Sequence, residues 1–228
     1  GTYGGAGIGV EEKATLLITK ESTGRLTATG GGYGAAGIGG RATVPDYENT
    51  IISYKTGTIE IQGGNIHAVG GDCWLMGSAV HLGGAGIGTG MYGIGGTVRI
   101  LGGTVKAEGG KDTGAGIGGG DNGAVDSIQI GEKNGEAPEV EASSWNVKYG
   151  AAIGSGRNAQ SGLKLSCGTI NIFSGNLKVK GNIGYGGIDK NEGNEQIGGS
   201  VDISEQVKLK LTDGTIEPRG TTCTFGKK

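Results

Sequence analysis

The large side chains of this chain are scarce, and those in three short segments depart most clearly from the rest of the sequence. Aromatic residues make up 5% of the sequence, yet Tyr47 and Tyr54 lie in one segment, Trp74 lies with His81 in a second, and Trp145 lies in a third. An aromatic ring offers a broad apolar face for stacking on a sugar, and binding residues collect in loops on rigid scaffolds. We take these five residues as candidate glycan-binding residues. The alternative is a small local core that covers a corner.

An acidic segment near the end of the chain offers oxygen ligands for a hard cation. Asp189, Asn191 and Glu195 alternate in the sequence DKNEGNE, and the sequence GDNG at 120–123 gives a weaker hint of the same kind. Calcium takes oxygen ligands from short loops of this composition. The spacing is not that of an EF-hand, so an ordinary turn is the alternative. Calcium is the one cofactor that the sequence suggests.

Residues for polysaccharide cleavage are harder to find. A β-helical lyase would need acidic residues around a calcium ion, beside a lysine or arginine that acts as base. Lys106, Glu108 and Glu141 are the nearest approach to such a group, and His67 occupies the position of Lys106 one repeat earlier. The same residues are typical of a solvated surface with mixed charges. We therefore assign no catalytic residue.

A recurring phrase of glycine, alanine and isoleucine sets the framework that must position these side chains. Most of its copies lie about 30 residues apart, and its isoleucines are Ile8, Ile38, Ile87, Ile117, Ile153 and Ile183. Units of this length cannot bury an apolar face alone and must stack on their neighbours. The long interval between Ile38 and Ile87 is explained by insertions near 41–55 and 72–82. We expect a single solenoid domain over residues 1–228.

Between the glycine pairs, apolar and polar residues alternate with a period of two, which indicates strands with one buried face. Each repeat holds three such strands. In the second strand the inward pair is, for example, Val98 and Ile100, and in the third strand Val105 and Ala107. The sequence therefore predicts an all-β, right-handed parallel β-helix of about six coils. Each coil would hold three short strands in about 30 residues.

Two outward columns are regular enough to need an explanation. In the second strand, outward hydroxyl residues form a column that resembles the threonine face of ice-binding β-helices. The outward column beside it is charged and irregular, which favours hydroxyl pairing between neighbouring coils over ice binding. In the first strand, glycines occupy the position before the isoleucine in four coils, which predicts a bare stripe open to a partner or a tightly packed corner. The hydroxyl column is Thr15, Thr58, Thr97, Ser127, Thr169 and Ser200.

Composition excludes several classes of function. The formal net charge of −2 at pH 7 gives no basic footprint for nucleic acid, and no apolar run reaches membrane-spanning length. We therefore expect no nucleic-acid partner and no membrane insertion. Cys73, Cys167 and Cys223 are too widely spaced for a disulfide framework or a zinc site. We interpret them as small, half-buried side chains, with one chance disulfide as the alternative.

The sequences GTVRILGGTVKAEGG at 96–110 and GAGIGGG at 114–120 resemble glycine-rich repeats of Gram-positive secreted and wall-anchored proteins. Those regions are described as β-helical, adhesin-like or carbohydrate-binding-like. The resemblance covers nearly the whole chain and implies an extracellular, multidomain surface protein with neighbouring domains in the same chain. We therefore expect a non-catalytic spacer or adhesin that binds a glycan or host surface. The alternative is a fragment of a polysaccharide-degrading β-helix enzyme, either a lyase or a glycoside hydrolase.

Overall fold

The protein is a parallel β-helix of six complete coils and the beginning of a seventh. The computed structural model describes residues 4–43, 53–74, 80–189, 193–217 and 223–225. Each complete coil contributes one strand to each of three parallel sheets, which confirms the predicted fold class. The described residues form no helix that could cross a membrane.

The three sheets have different strand lengths. The first-strand sheet consists of the two-residue strands Ile8–Gly9, Ile38–Gly39, Ile87–Gly88, Ile117–Gly118, Ile153–Gly154, Ile183–Gly184 and Ile216–Glu217. The second-strand sheet consists of Thr15–Ile18, Thr58–Ile61, Thr97–Ile100, Ser127–Ile130, Thr169–Ile172, Ser200–Ile203 and Cys223–Phe225. The third-strand sheet consists of Arg25–Thr29, Asn65–Val69, Thr104–Glu108, Glu139–Ser143, Asn176–Lys180 and Lys208–Thr212.

The predicted inward positions form continuous ladders. Ile100 pairs in register with Ile61 and Ile130, and Ala107 pairs with Ala68 and Ala142. All six of these side chains lie at predicted inward positions, and all six are buried in one core. Stacked β-branched residues fit a pleated, buried surface well. The ladders therefore hold the coils together along the whole axis.

The glycines of the first strand form a tightly packed corner, which is the second of the two interpretations and excludes the bare outward stripe. Gly37, Gly86 and Gly116 are buried. A Cβ on Gly86 would lie 2.7 Å from the backbone nitrogen and oxygen of Glu108, at the end of the third strand. Gly118 has a φ of 133°, and its Cβ would lie 1.8 Å from the carbonyl oxygen of Gly154. The repeated phrase is therefore set by close backbone packing between strands and between coils.

Two short pairings lie outside the three sheets. Lys164–Leu165 pairs in parallel with Glu195–Gln196, on the approach to the second strands of the fifth and sixth coils. Asp72–Cys73 pairs antiparallel with Leu82–Gly83 and closes a hairpin on the second coil. This hairpin forms where the sequence predicts the second insertion, and it carries two of the candidate binding residues.

Candidate functional site

The hairpin of the second coil has its own small core, separate from the ladders. Cys73 and Leu82 face each other across the hairpin and are buried with Ala35, Ala42 and Met91. The alternative for the aromatic candidates is a local core that they would form themselves, but this cluster is made of other residues. It anchors the base of the hairpin and does not include Trp74 or His81.

Trp74 and His81 extend the hairpin by one step beyond the Cys73–Leu82 pair. Their rings lie stacked, with centroids 6.5 Å apart and planes inclined by 26°. Trp74 is 65% exposed. Such exposure is unusual for a tryptophan, because burying its large apolar surface would be favourable. The indole therefore offers an open apolar surface on an anchored base.

Polar residues from two coils hold His81 in place. Its backbone nitrogen donates to the Asp112 carboxylate over 2.9 Å, and the Lys111 ammonium lies 3.0 Å from Nε2. Because an ammonium group can only donate, Nε2 accepts, and in the neutral ring the proton lies on Nδ1. Nδ1 faces the Asp72 carboxylate at 3.4 Å but has no hydrogen-bond partner among the described residues. The imidazole is thus held through Nε2 and through the backbone of His81, next to the exposed indole.

Sequence reasoning missed the residues that fix His81, although the repeat contains a signal for two of them. Asp72 follows the glycine pair of the second coil, and Lys111 follows the equivalent pair of the third coil. The repeat register therefore places these opposite charges at equivalent positions one coil apart, near 4.8 Å along the axis. That register alone does not show that a histidine would lie between them, because His81 arrives from the other arm of an inserted hairpin.

The remaining aromatic candidates occupy other positions. Trp145 lies after the third strand of the fourth coil, at the same corner of the solenoid as the hairpin, and is 67% exposed. Tyr54 lies at a different corner, before the second strand of the second coil. There the Arg41 guanidinium carbon lies 4.2 Å from the centre of its ring. Tyr47 lies outside the described residues. The structure therefore brings Trp74 and His81 together, places Trp145 at the same corner two coils away and places Tyr54 at a different corner.

The proposed calcium ligands face cations. Asp189 lies 3.7 Å from the Arg157 guanidinium, and Glu195 lies 3.2 Å from the Lys164 ammonium. Asn191 lies outside the described residues. Within the described ranges, no three His, Cys, Asp or Glu side chains are grouped closely enough to hold a metal ion. The geometry of Asp189 and Glu195 gives the calcium prediction no support.

The GDNG segment at 120–123 belongs to a buried polar network. Asp121 accepts from Arg157 Nε over 3.0 Å and from Asn122 Nδ2 over 2.7 Å, and the Asp121 side chain is 1% exposed. Burial raises the pKa of Asp121 to about 6, against the opposing effect of Arg157, so the carboxylate is mostly ionised at pH 7. Asn122 Oδ1 in turn accepts from the backbone of residues 159–160. This network fixes a corner and holds no free ligand oxygen for a cation.

The residues nearest to a lyase site form a neutralised cluster. Glu108 Oε1 lies 2.8 Å from Lys106 Nζ and 2.6 Å from His67 Nε2. The hydrogen bond to Glu108 raises the pKa of Lys106. Partial burial raises the pKa of Glu108, but the hydrogen bonds from Lys106 and His67 outweigh it and the net shift is downward. A lysine held in its protonated form by a carboxylate is poorly suited to act as a base.

The cysteines and the hydroxyl column have structural roles. Cys73 and Cys167 are free and buried, so they are more enclosed than the half-buried side chains that the sequence predicts. Burial raises the pKa of Cys167 to about 11. The Cys223 side chain lies outside the described set. In the hydroxyl column, Thr97 Oγ1 and Ser127 Oγ lie 3.1 Å apart, so these neighbouring coils pair through their hydroxyls as expected.

The site combines an exposed indole, a fixed imidazole, an ammonium and two carboxylates on one corner of a rigid solenoid. This arrangement can stack on an apolar ring face and exchange hydrogen bonds with hydroxyl groups around it. No protein-family model, curated protein or solved structure matches the chain.

Proposed function

We propose that this protein is a non-catalytic module of an extracellular bacterial surface protein that binds a glycan at the hairpin corner of its second coil. The observation that supports the proposal most strongly is the exposed Trp74 indole above an oriented His81. Sugar rings present apolar C–H faces edged by hydroxyl groups. Trp74 offers the apolar surface, and Asp72, Lys111 and Asp112 offer the surrounding donors and acceptors.

The same solenoid would also act as a spacer. Its coils are linked by in-register backbone pairing along all three sheets, so the length of the module is fixed by the number of coils. We propose a cell-wall or extracellular location and neighbouring domains in the same chain on the basis of the repeat resemblance. A rigid rod with an exposed binding corner fits such a position, because it would hold the corner away from the cell surface.

A glycan array tests the binding proposal directly. We expect the wild-type protein to bind a restricted set of glycans equally well with calcium and with a chelator, because Asp189 and Glu195 are engaged by cations. Trp74→Ala should lose those signals. Leu17→Ala is the matched control, since Leu17 is an exposed apolar side chain on the first coil, away from the hairpin. Absence of any wild-type signal, or equal loss in both variants, would contradict the proposal.

The alternative, a fragment of a polysaccharide-degrading enzyme, has weaker support because Lys106 is tied to Glu108. We expect incubation with pectin, alginate, glycosaminoglycans and mucin glycans to release no new reducing ends and no unsaturated products. Assays of reducing ends and of ultraviolet absorbance check this. Turnover that disappears in Lys106→Ala would establish the enzyme instead.

A further inference from the structure

The outer face of the third-strand sheet changes its electrostatic character along the axis. On the second and third coils, the His67 imidazole and the Lys106 ammonium converge on the Glu108 carboxylate. On the fifth and sixth coils, the strands Asn176–Lys180 and Lys208–Thr212 pair in register and present four exposed lysines. These lysines are Lys178, Lys180, Lys208 and Lys210.

The four lysines form a compact array. Lys178 lies directly opposite Lys210 in the register of the two strands. Neighbouring strands lie about 4.8 Å apart, and alternate residues along one strand lie about 6.6 Å apart. In the described part of the chain, no carboxylate oxygen lies within 4.0 Å of any of these four ammonium groups. Like charges directly opposite each other destabilise a sheet, and a bound anion would relieve this repulsion.

Two shallow grooves flank the ridge formed by Lys178 and Lys210. One groove has a volume of about 540 Å³ and is also lined by Lys180, Ser143 and Thr212, with the carboxylates of Glu108 and Glu141 on its other side. The other has a volume of about 350 Å³ and is also lined by Lys208 and Asn176, with the carboxylate of Glu139. The ammonium groups of the ridge therefore face both grooves, beside hydroxyl groups in the larger groove and an amide in the smaller one. Anionic groups that repeat along a chain could reach both grooves at once.

The segment that carries Trp145 begins beside the larger groove, after Ser143. The backbone nitrogen of Ser144, which precedes Trp145, donates to the carbonyl oxygen of Lys180 over 3.2 Å. The exposed indole therefore belongs to a segment that leaves the sheet next to Lys180. An aromatic ring beside ammonium groups is suited to a sugar that carries an acidic substituent, because the ring stacks while the cations pair with the acid.

We infer that this lysine array, with Trp145 at its edge, binds an acidic polysaccharide whose sulfate or carboxylate groups repeat along the chain. Nucleic acid fits less well, because the array covers only two coils. Glu141, which pairs in register with Lys178, and Glu139 border the array, so a bound polyanion must direct its acidic groups onto the lysines and away from these carboxylates. The inference is independent of the glycan site at Trp74, because it rests on different residues and a different ligand charge.

Elution from heparin–agarose against sodium chloride, at pH 7.4, tests this inference. We expect the wild-type protein to bind and to elute at higher salt than from a plain sulfopropyl resin. A variant with Lys178, Lys180, Lys208 and Lys210 all changed to Gln should appear in the flow-through. Its melting temperature should be unchanged or higher, because the repulsion is gone. Lys106→Gln is the matched control, since Lys106 shares a column with Lys178 but is paired with Glu108, and it should elute like the wild type.

Soluble competitors identify the ligand class. Release of the wild-type protein by dextran sulfate or polygalacturonate supports the inference and shows whether sulfate or carboxylate is preferred. The inference fails if the wild-type protein does not bind heparin, if it elutes from heparin and sulfopropyl resin at the same salt, or if the four-lysine variant elutes like the wild type. It also fails if duplex DNA competes as well as the polysaccharides.

If the four-lysine variant does not fold, the Lys178→Gln/Lys210→Gln variant gives the same comparison with two charges removed. Trp74→Ala should still bind heparin, so failure here and failure of the Trp74 proposal give different results.

Discussion

The interior ladders and the hairpin corner use the same kinds of side chain in opposite ways. In the ladders, Ile100 and Ile130 are completely buried and stacked on equivalent residues of the coils above and below. At the hairpin, the larger apolar side chain of Trp74 is left mostly in solvent. Burial of apolar surface stabilises a fold, whereas an exposed indole contributes little to it. The comparison indicates that stability and binding are carried by separate parts of the molecule.

The largest loss of stability should come from the buried ion pair at the corner of the fourth and fifth coils. Asp121→Ala would leave the nearly buried Arg157 guanidinium with one distant carboxylate, at Asp189, and should destabilise the protein by about 3–5 kcal/mol. Urea unfolding measures this loss. Glu195→Ala is the control, because its pair with Lys164 is exposed on both sides and should contribute less than about 1 kcal/mol. Equal losses in the two variants would show that the Asp121 network does not fix this corner.

A ladder substitution should have the next largest effect. Ile130→Ala removes a buried side chain that lies between Ile100 and Ile172, and should destabilise the protein by about 2–5 kcal/mol. Thermal melts check this expectation. Gln129→Ala, at the neighbouring outward position, removes one hydrogen bond to the Gly131 carbonyl and should cost about 1 kcal/mol or less. A loss at Gln129 as large as that at Ile130 would contradict the assignment of the inward face.

The ladders could be predicted from the sequence because they repeat. A period of two along each strand and a period of about 30 along the chain identify the inward residues independently. The corners were less predictable. The first-strand glycines allowed either an open stripe or a packed corner, since a missing side chain does not reveal whether the space is empty or occupied by backbone. In the structure, the end of the third strand fills that space at Glu108.

The sequence identified part of the candidate site. Trp74 and His81 stood out as departures from the repeat, and the structure places them together. Tyr54 was grouped with them because both insertions belong to the second coil. The first insertion follows the first strand of that coil, whereas the hairpin follows its third strand. The lysine array was missed because the third strand of the sixth coil, Lys208–Thr212, was not recognised. Without that strand, Lys178 and Lys180 have no partners on the next coil.

The most direct test of the account measures stability and binding on one variant, Trp74→Ala. We expect its free energy of unfolding to lie within about 0.5 kcal/mol of the wild-type value, because the side chain is mostly exposed. Its dissociation constant for the glycan that the array identifies should rise beyond the measurable range. A Trp74→Ala protein that melts several degrees lower while binding that glycan normally would show that the indole belongs to a local core. That result would contradict the separation of fold and binding.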